Sequence, residues 1–339
     1  MPPGSGLSGQ LMMGNETTHG TYATPTRGYE IRAGSGEFGL QKGITESAGL
    51  RATGLVQRGN RRRVATRRAE GSFTVDVMPR GLGILLRQIF GGTVTPVQVG
   101  STDAYTQTYT LQDMGPNLGA TIQLGVPDAG GTVHDYSYLG SRCVSATFTQ
   151  EGGETPPPLA LETSWHIRNV TEAQTLVTFV DPAEAEVPFA FADWECLIGE
   201  FGSEAAIDGI AGWNLAIGRG QKTDRYYAND AGLRRAPILN ALTELGGSLT
   251  SDLLNKADLF DLVESDGQFS MINRWTGREI DTGENCLVEI STPMCFLNTG
   301  TPSLAGGFEV VSGELPYVVR DDDTNAPITV TYTSLDTTL

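Results

Sequence analysis

The stretch that decides the fold is Gly71-Ser72-Phe73-Thr74-Val75-Asp76-Val77, followed shortly by Gly81 to Phe90. Phe73 to Val77 alternates apolar and polar residues with period two, which predicts a half-buried strand. In the second piece Leu82, Leu85, Leu86, Ile89 and Phe90 fall at i, i+3, i+4, i+7 and i+8, one face of a short helix. Pro79 stands just ahead, where a proline is tolerated, and Gly91-Gly92 closes the turn. The unit is a strand that runs into one helix, spanning about residues 81–90.

That unit occurs twice. Gly247-Ser248-Leu249-Thr250-Ser251-Asp252 matches Gly71 to Asp76, and a second helix is expected over 256–265. Asn255 supplies its N-cap, Asp258 an acidic first turn, and Leu259, Phe260, Leu262 and Val263 its apolar face. Upstream, Ala48-Gly49-Leu50-Arg51 recurs as Ala231-Gly232-Leu233-Arg234. The offsets are 183 and 176, so the first copy carries seven more residues between its two motifs. Period-two alternation or short apolar runs mark further strands at 105–111, 120–124, 143–149, 159–165, 174–180, 193–198, 286–290 and 328–332. Turn signals such as Asp128-Ala129-Gly130-Gly131 and the triple proline 156–158 separate them.

These patterns predict a mainly β chain of two tandem antiparallel β-sandwich or barrel domains, each with one short α-helix. Residues 1–12 read as a flexible N-terminal arm, 13–180 as the first domain with a long Arg-rich loop at 52–70, and 181–339 as the second, acidic domain.

Charge sharpens the division. The chain of 339 residues carries 23 basic and 40 acidic side chains, net −17. Residues 1–170 account for +1 of this and residues 171–339 for −18, so the excess acid lies in the second half. That balance argues against wholesale binding to nucleic acid. Against it stands one basic cluster: Arg58, Arg61, Arg62, Arg63, Arg67 and Arg68 put six arginines into eleven positions. Such a run repels itself unless anions surround it. Phosphate, a nuclear-import receptor or the acidic half of another copy could supply them. No aromatic residues interleave it, and the −18 half favours self-assembly in a head-to-tail sense.

Chemistry is hard to find. GxSxG, HExxH, GxxxxGK[ST] and DxDxDG runs are lacking, so no enzyme and no cofactor is expected. His19, His134 and His166 are scattered, and Cys143, Cys196, Cys286 and Cys295 show no CxxC spacing, so no metal is expected either. The cysteines read as free buried thiols. No apolar run reaches eighteen residues and no secretory signal opens the chain, so no membrane partner is expected.

Gly14-Asn15-Glu16-Thr17-Thr18-His19-Gly20-Thr21 with Pro25, then Gly49-Leu50-Arg51, the arginine run, the strand–helix step 71–90 and Gly125-Val126-Pro127-Asp128 form an ordered pattern. It resembles the opening of major tail tube proteins of long-tailed, siphovirus-type bacteriophages. The resemblance implies a structural virion protein of the tail, assembled in the bacterial cytoplasm into stacked rings that form a hollow conduit. Two tube domains in one chain imply a ring of three chains mimicking six-fold symmetry; the alternative is a hexamer. Implied partners are the protein itself, a tape-measure protein, tail terminator and tail-tip proteins, and genomic DNA passing without specific binding. The arginines would then form a subunit or ring interface. Two other readings stand beside it: a nucleic-acid-binding module using the arginine run, and a β-sandwich tail-tip or decoration protein.

Overall fold

A computed structural model describes residues 9–47, 49, 54, 56–115, 118–183, 185–252, 259–299 and 312–339. The first half contributes β1 (Gln10–Asn15), β2 (Arg27–Tyr29), β3 (Glu37–Glu46), β4 (Arg62–Asp76), α1 (Gly83–Phe90), β5 (Val97–Gln98), β6 (Tyr105–Thr110), β7 (Ala120–Pro127), β8 (Val133–Glu151), β9 (Ala160–Ile167) and β10 (Asn169–Thr171). The second contributes β11 (Trp194–Gly199), β12 (Ala205–Ala206), β13 (Ile210–Gly218), β14 (Gln221–Lys222), β15 (Ile238–Leu239), β16 (Glu244–Asp252), α2 (Phe260–Ser265), β17 (Gln268–Asp281), β18 (Glu284–Leu297), β19 (Ser312–Val319) and β20 (Thr329–Ser334). The chain is mainly β, with large antiparallel sheets and, among the described residues, no closed barrel.

Pairing follows one plan in both halves. In the first, β1 pairs with β2 and β7, β7 with β8, β8 with β9 and β10, and β4 with β3 and β9. In the second, β11 pairs with β12 and β17, β17 with β18, β18 with β19 and β20, and β16 with β13 and β19. Every pairing of the first set has a counterpart in the second. Even an irregularity is shared: the β7–β8 ladder slips between Ala120 and Ile122, and the β17–β18 ladder between Phe269 and Met271. A bulge is a specific device that bends one strand, so its recurrence at one position marks a common plan.

Among the described residues two strand ladders cross between the halves. β13 pairs with β8 over seven residue pairs, and β20 pairs with β6 over six. The result is one continuous run of strands, β3–β4–β9–β8–β13–β16–β19–β18. Its buried face carries Phe73, Trp165, Leu161, Phe148, Leu215, Ile217, Leu249 and Leu315, all at most 1% exposed. α1 buries Ile84, Leu85, Leu86, Ile89 and Phe90, closed by Gly91 in the left-handed region (φ 95°), which a glycine adopts without strain. Trp194 stacks on Trp275 at 6.1 Å in the second half, so the tryptophans serve the core rather than an exposed binding face.

Several expectations change. Gln10 to Met12 of the expected N-terminal arm belong to β1, with Leu11 and Met12 buried; residues 1–8 lie outside the described residues. The segment 174–180 is not a strand: the Gln123 amide donates to Thr175 O and accepts from Val177 N, and Gln10 donates to Val177 O. Glutamine side chains satisfy that backbone where a ladder would have. The first helix begins at Gly83 and the second at Phe260; Asn255 and 256–258 lie outside the described residues. The largest change concerns 52–70. From Arg62 onward it is strand, not loop, paired with β3 from Glu46↔Arg62 to Glu37↔Ser72. Strand extension consumes those residues, so the β3–β4 connection is only 47–61, whereas β13 and β16 are joined by the longer 219–243.

Candidate functional site: a polar sheet face and an unpaired edge

Period-two alternation gives the long sheet two faces of opposite character. In one register row Val75, Leu161, Phe148, Leu215, Gly247 and Tyr317 stand side by side, and this row faces the core. One residue along, Asp76, Ala160, Thr149, Asn214, Ser248 and Pro316 stand side by side on the opposite face. The same face continues through Ser72, Thr74, Ser164, Ser145, Thr147 and Thr250. Small hydroxyl residues dominate it, and Asn214 donates across to Ser248 Oγ at 2.7 Å.

Its charges are nearly all negative. Glu37, Glu70, Asp76, Glu151, Glu162, Glu244, Asp252 and Glu314 lie on this face, against Arg68 and the buried Arg142, which shares a register row with Glu70 and His166. Arg32 holds Asp76 at 2.5 Å, and Arg234 holds Glu70 at 3.2 Å. Glu151, Glu162, Glu244 and Glu314 are exposed. The sequence located the acid excess in the second half but gave no sign that both halves would share one acidic face, since that depends on the β8–β13 seam.

The arginines are not one cluster. Arg58 and Arg61 sit in the tight turn before β4, exposed, and Arg62 and Arg63 open the strand. Arg62 pairs with Glu46 at 3.0 Å across the hairpin. Arg67 and Arg68, adjacent on a strand, point to opposite faces; Arg68 donates to Gln41 at 2.7 Å. The structure thus gathers four arginines at a hairpin end and sends two elsewhere.

Next to them is an open edge. Among the described residues β3 pairs with β4 only, and its residues from Gly39 to Glu46 are exposed, with Leu40 at 47% and Ile44 at 42%. Its counterpart β13 has a strand on each side, β16 and β8, and there Leu215 and Ile217 are fully buried. Ladder registers equate Phe38 with Leu215 and Leu40 with Ile217, because Gly71 faces Phe38 as Gly247 faces Leu215.

Buried polar groups brace the loops that pack on the strands. Arg142, fully buried, donates to the carbonyls of Leu118, Gly115 and Pro237, the last at 2.5 Å; burial pulls its guanidinium down to about 10. Burial lowers His19 to about 4 and His166 to about 3, so both are neutral imidazoles. Among the described residues no group of three or more His, Cys, Asp or Glu could hold a metal, and no helix is long and apolar enough to cross a membrane.

A repeated sheet with one polar, mostly acidic face and a free edge suits a self-assembling structural subunit. The chain belongs to the phage tail tube protein family, whose model matches residues 6–333. It is a structural subunit of the virion tail that assembles with itself into the tube. A comparison with curated proteins finds no match.

Proposed function

We propose that three copies close a ring in which the polar face of the long sheet lines the lumen. The register row that runs unbroken across the β8–β13 seam carries this reading. The seam is an interface between two tube-like halves already made within the chain. Repeating it between chains places β3 of one copy against β18, the second-half counterpart of β8, in the next. The halves then alternate around the ring, and no sheet edge is left open to uncontrolled growth.

Each half supplies four strands to the run, so three chains give about 24 strands. At about 4.8 Å per strand the circumference is roughly 115 Å and the backbone bore about 37 Å, wider with strand tilt. The exposed carboxylates on that wall far outnumber its exposed cation Arg68 and repel phosphate, so DNA slides without sticking. The subunit catalyses nothing; a tape-measure protein fills the bore before the genome, and terminator and tip proteins cap the ends. The hairpin end with Arg58, Arg61, Arg62 and Arg63 reaches the acidic half of a neighbouring ring. Electron microscopy of tubes from the purified protein tests the count: three chains with pseudo-six-fold rings are expected, and true six-fold rings with one chain per sixth refute it.

A further inference from the structure

A cation meets a helix end just past the seam between the halves. Leu215, Ile217 and Arg219 follow one another at period two, and all three are at most 1% exposed. The Arg219 backbone N–H donates to Val144 O at 3.1 Å, one step beyond the β8–β13 ladder, and its guanidinium donates to Gln112 O at 2.5 Å. The guanidinium also lies against the C-cap of α1: a side chain at Gly91 would point at it, with Cβ 3.6 Å from the Arg219 Nη2. The end of α1 thus has two cations, Arg87 in its last turn and Arg219 beside its cap, where the exposed carbonyls of a helix carry partial negative charge.

The end of α2 has the opposite character. α1 packs on β8 and α2 on β18, and both helices close on a left-handed residue, Gly91 at φ 95° and Asp266 at φ 50°. Asp266 therefore carries a carboxylate at the position from which a side chain in the first half would point at Arg219. Asp266 and Glu264 are exposed, no basic residue stands in the last turn, and among the described residues no ion pair involves Asp266. An acid at a helix C-terminus opposes the macrodipole, and a non-glycine residue in the left-handed region is strained, so the local fold gains nothing from Asp266. The segment that carries Gln112 has no counterpart here, because only Gly267 and Gln268 separate Asp266 from Phe269, the counterpart of Ala120. This helix end is open to a cation from outside the chain.

Ladder registers identify that cation. Gly71 faces Phe38 and Gly247 faces Leu215, so Leu40 corresponds to Ile217 and Lys42 to Arg219. Gly71 also faces Trp165, which faces Cys143; Gly247 faces Tyr317, which faces Leu297, so Val144 corresponds to Asn298. Lys42 and Asn298 are both exposed. We propose that Lys42 of one copy docks on the C-terminal end of α2 in a second copy, its backbone N–H donating to the Asn298 carbonyl and its ammonium pairing with Asp266. This rests on the ring reading, because Lys42 and Asp266 meet only where the seam is repeated between chains. Arg219 closes the seam inside each chain and Lys42 the seam between chains, so every helix end around the ring is matched by a cation.

Zero-length coupling tests the contact on the unmodified protein. The lysines are only Lys42, Lys222 and Lys256, so a carbodiimide can join few amine–carboxylate pairs. Isotope-labelled and unlabelled subunits are mixed before assembly, and the treated tubes should yield a peptide that joins Lys42 of one label to Asp266 of the other. Coupling of Lys222 to Asp224, which stand 3.9 Å apart, serves as the reaction control. Tubes in which the control couples but Lys42 joins other carboxylates, or Asp266 of its own chain alone, overturn the contact and leave the ring reading intact. Failure of the unmodified protein to form tubes is the separate failure of the ring reading, and the contact falls with it. Charge exchange is the second arm: Lys42→Glu, exposed in the free subunit, should raise the concentration needed for tubes about tenfold, and adding Asp266→Lys should restore it. Asp266→Gly separates assembly from folding. It relieves the left-handed strain, so the melting temperature of the free subunit should hold or rise, while the concentration needed for tubes rises about tenfold. No effect of Lys42→Glu or Asp266→Gly on assembly, or no rescue by the exchange, overturns the contact.

Discussion

Replacing Leu40 by Lys should stop ring closure while leaving the free subunit folded. Leu40 is 47% exposed on an unpaired edge, whereas its counterpart Ile217 is fully buried because β8 lies alongside β13. The difference between the two positions measures what a neighbouring chain would cover. Burying the remaining half of a leucine side chain contributes about 1 kcal/mol, and an ammonium forced into that seam costs about 2 kcal/mol more. A loss of about 3 kcal/mol per interface is roughly a hundredfold in pairwise association, and a closed ring of three contains three such interfaces. In the free subunit the same change touches only surface, so its denaturation midpoint should move by less than about 0.5 kcal/mol. Ile217→Lys is the contrasting control: it places the charge in the internal seam and should cost more than about 4 kcal/mol of folding stability. Light scattering and sedimentation report assembly, and urea titration reports folding. Normal tubes from Leu40→Lys at wild-type concentration would refute the reasoning, because the edge would then be a free surface in the assembly.

Four further outcomes are expected. Arg61, Arg62 and Arg63 changed together to Ala should leave the denaturation midpoint unchanged, since all three are exposed, but shorten tubes or raise the concentration they need; tubes of normal length and yield would remove the hairpin from ring stacking. Acidification should weaken the fold: an unfolded imidazole titrates near pH 6.5 while folded His19 and His166 stay neutral to about 4 and about 3, so the unfolded chain gains protons first. Their contribution is complete above about pH 6.5 and is lost as pH falls toward 4, a loss of roughly 3 to 4 kcal/mol between pH 7 and 5; buried Glu16, whose carboxyl is raised, acts in the opposite sense, and an unchanged urea midpoint at pH 5 would contradict the assignment. Arg142→Ala should cost about 3 kcal/mol by leaving the carbonyls of Leu118, Gly115 and Pro237 without their donor, read as a drop in melting temperature; a stability loss under about 0.5 kcal/mol would show that water replaces the guanidinium. All four cysteines are free and buried, with Cys143, Cys196 and Cys295 pushed up to about 12, so a reductant should change neither stability nor assembly, and a mobility shift on non-reducing gels would disprove it.

Local rules were enough for most of the elements, and the family resemblance for the class of protein. Alternation in Phe73 to Val77, the apolar stripe from Leu82 to Phe90 and its glycine stop depend on neighbours a few residues apart, so they were legible as strand and helix. The Gly71 and Gly247 motifs likewise announced the repeat, and they mark equivalent ladder positions opposite Phe38 and Leu215. The arginine run misled because composition says nothing of pairing: Glu37 to Glu46 supplies the partner strand that turns Arg62 to Arg68 into sheet and splits Arg67 from Arg68. The acidic face was legible only as a net charge. Asp76, Thr149, Asn214 and Ser248 are far apart in the chain and become neighbours through backbone hydrogen bonds among β4, β9, β8, β13 and β16. The free edge of β3 was invisible for the same reason. A strand's own residues fix which way its side chains point, but only the long-range ladder decides whether its second edge, like that of β13, is already filled.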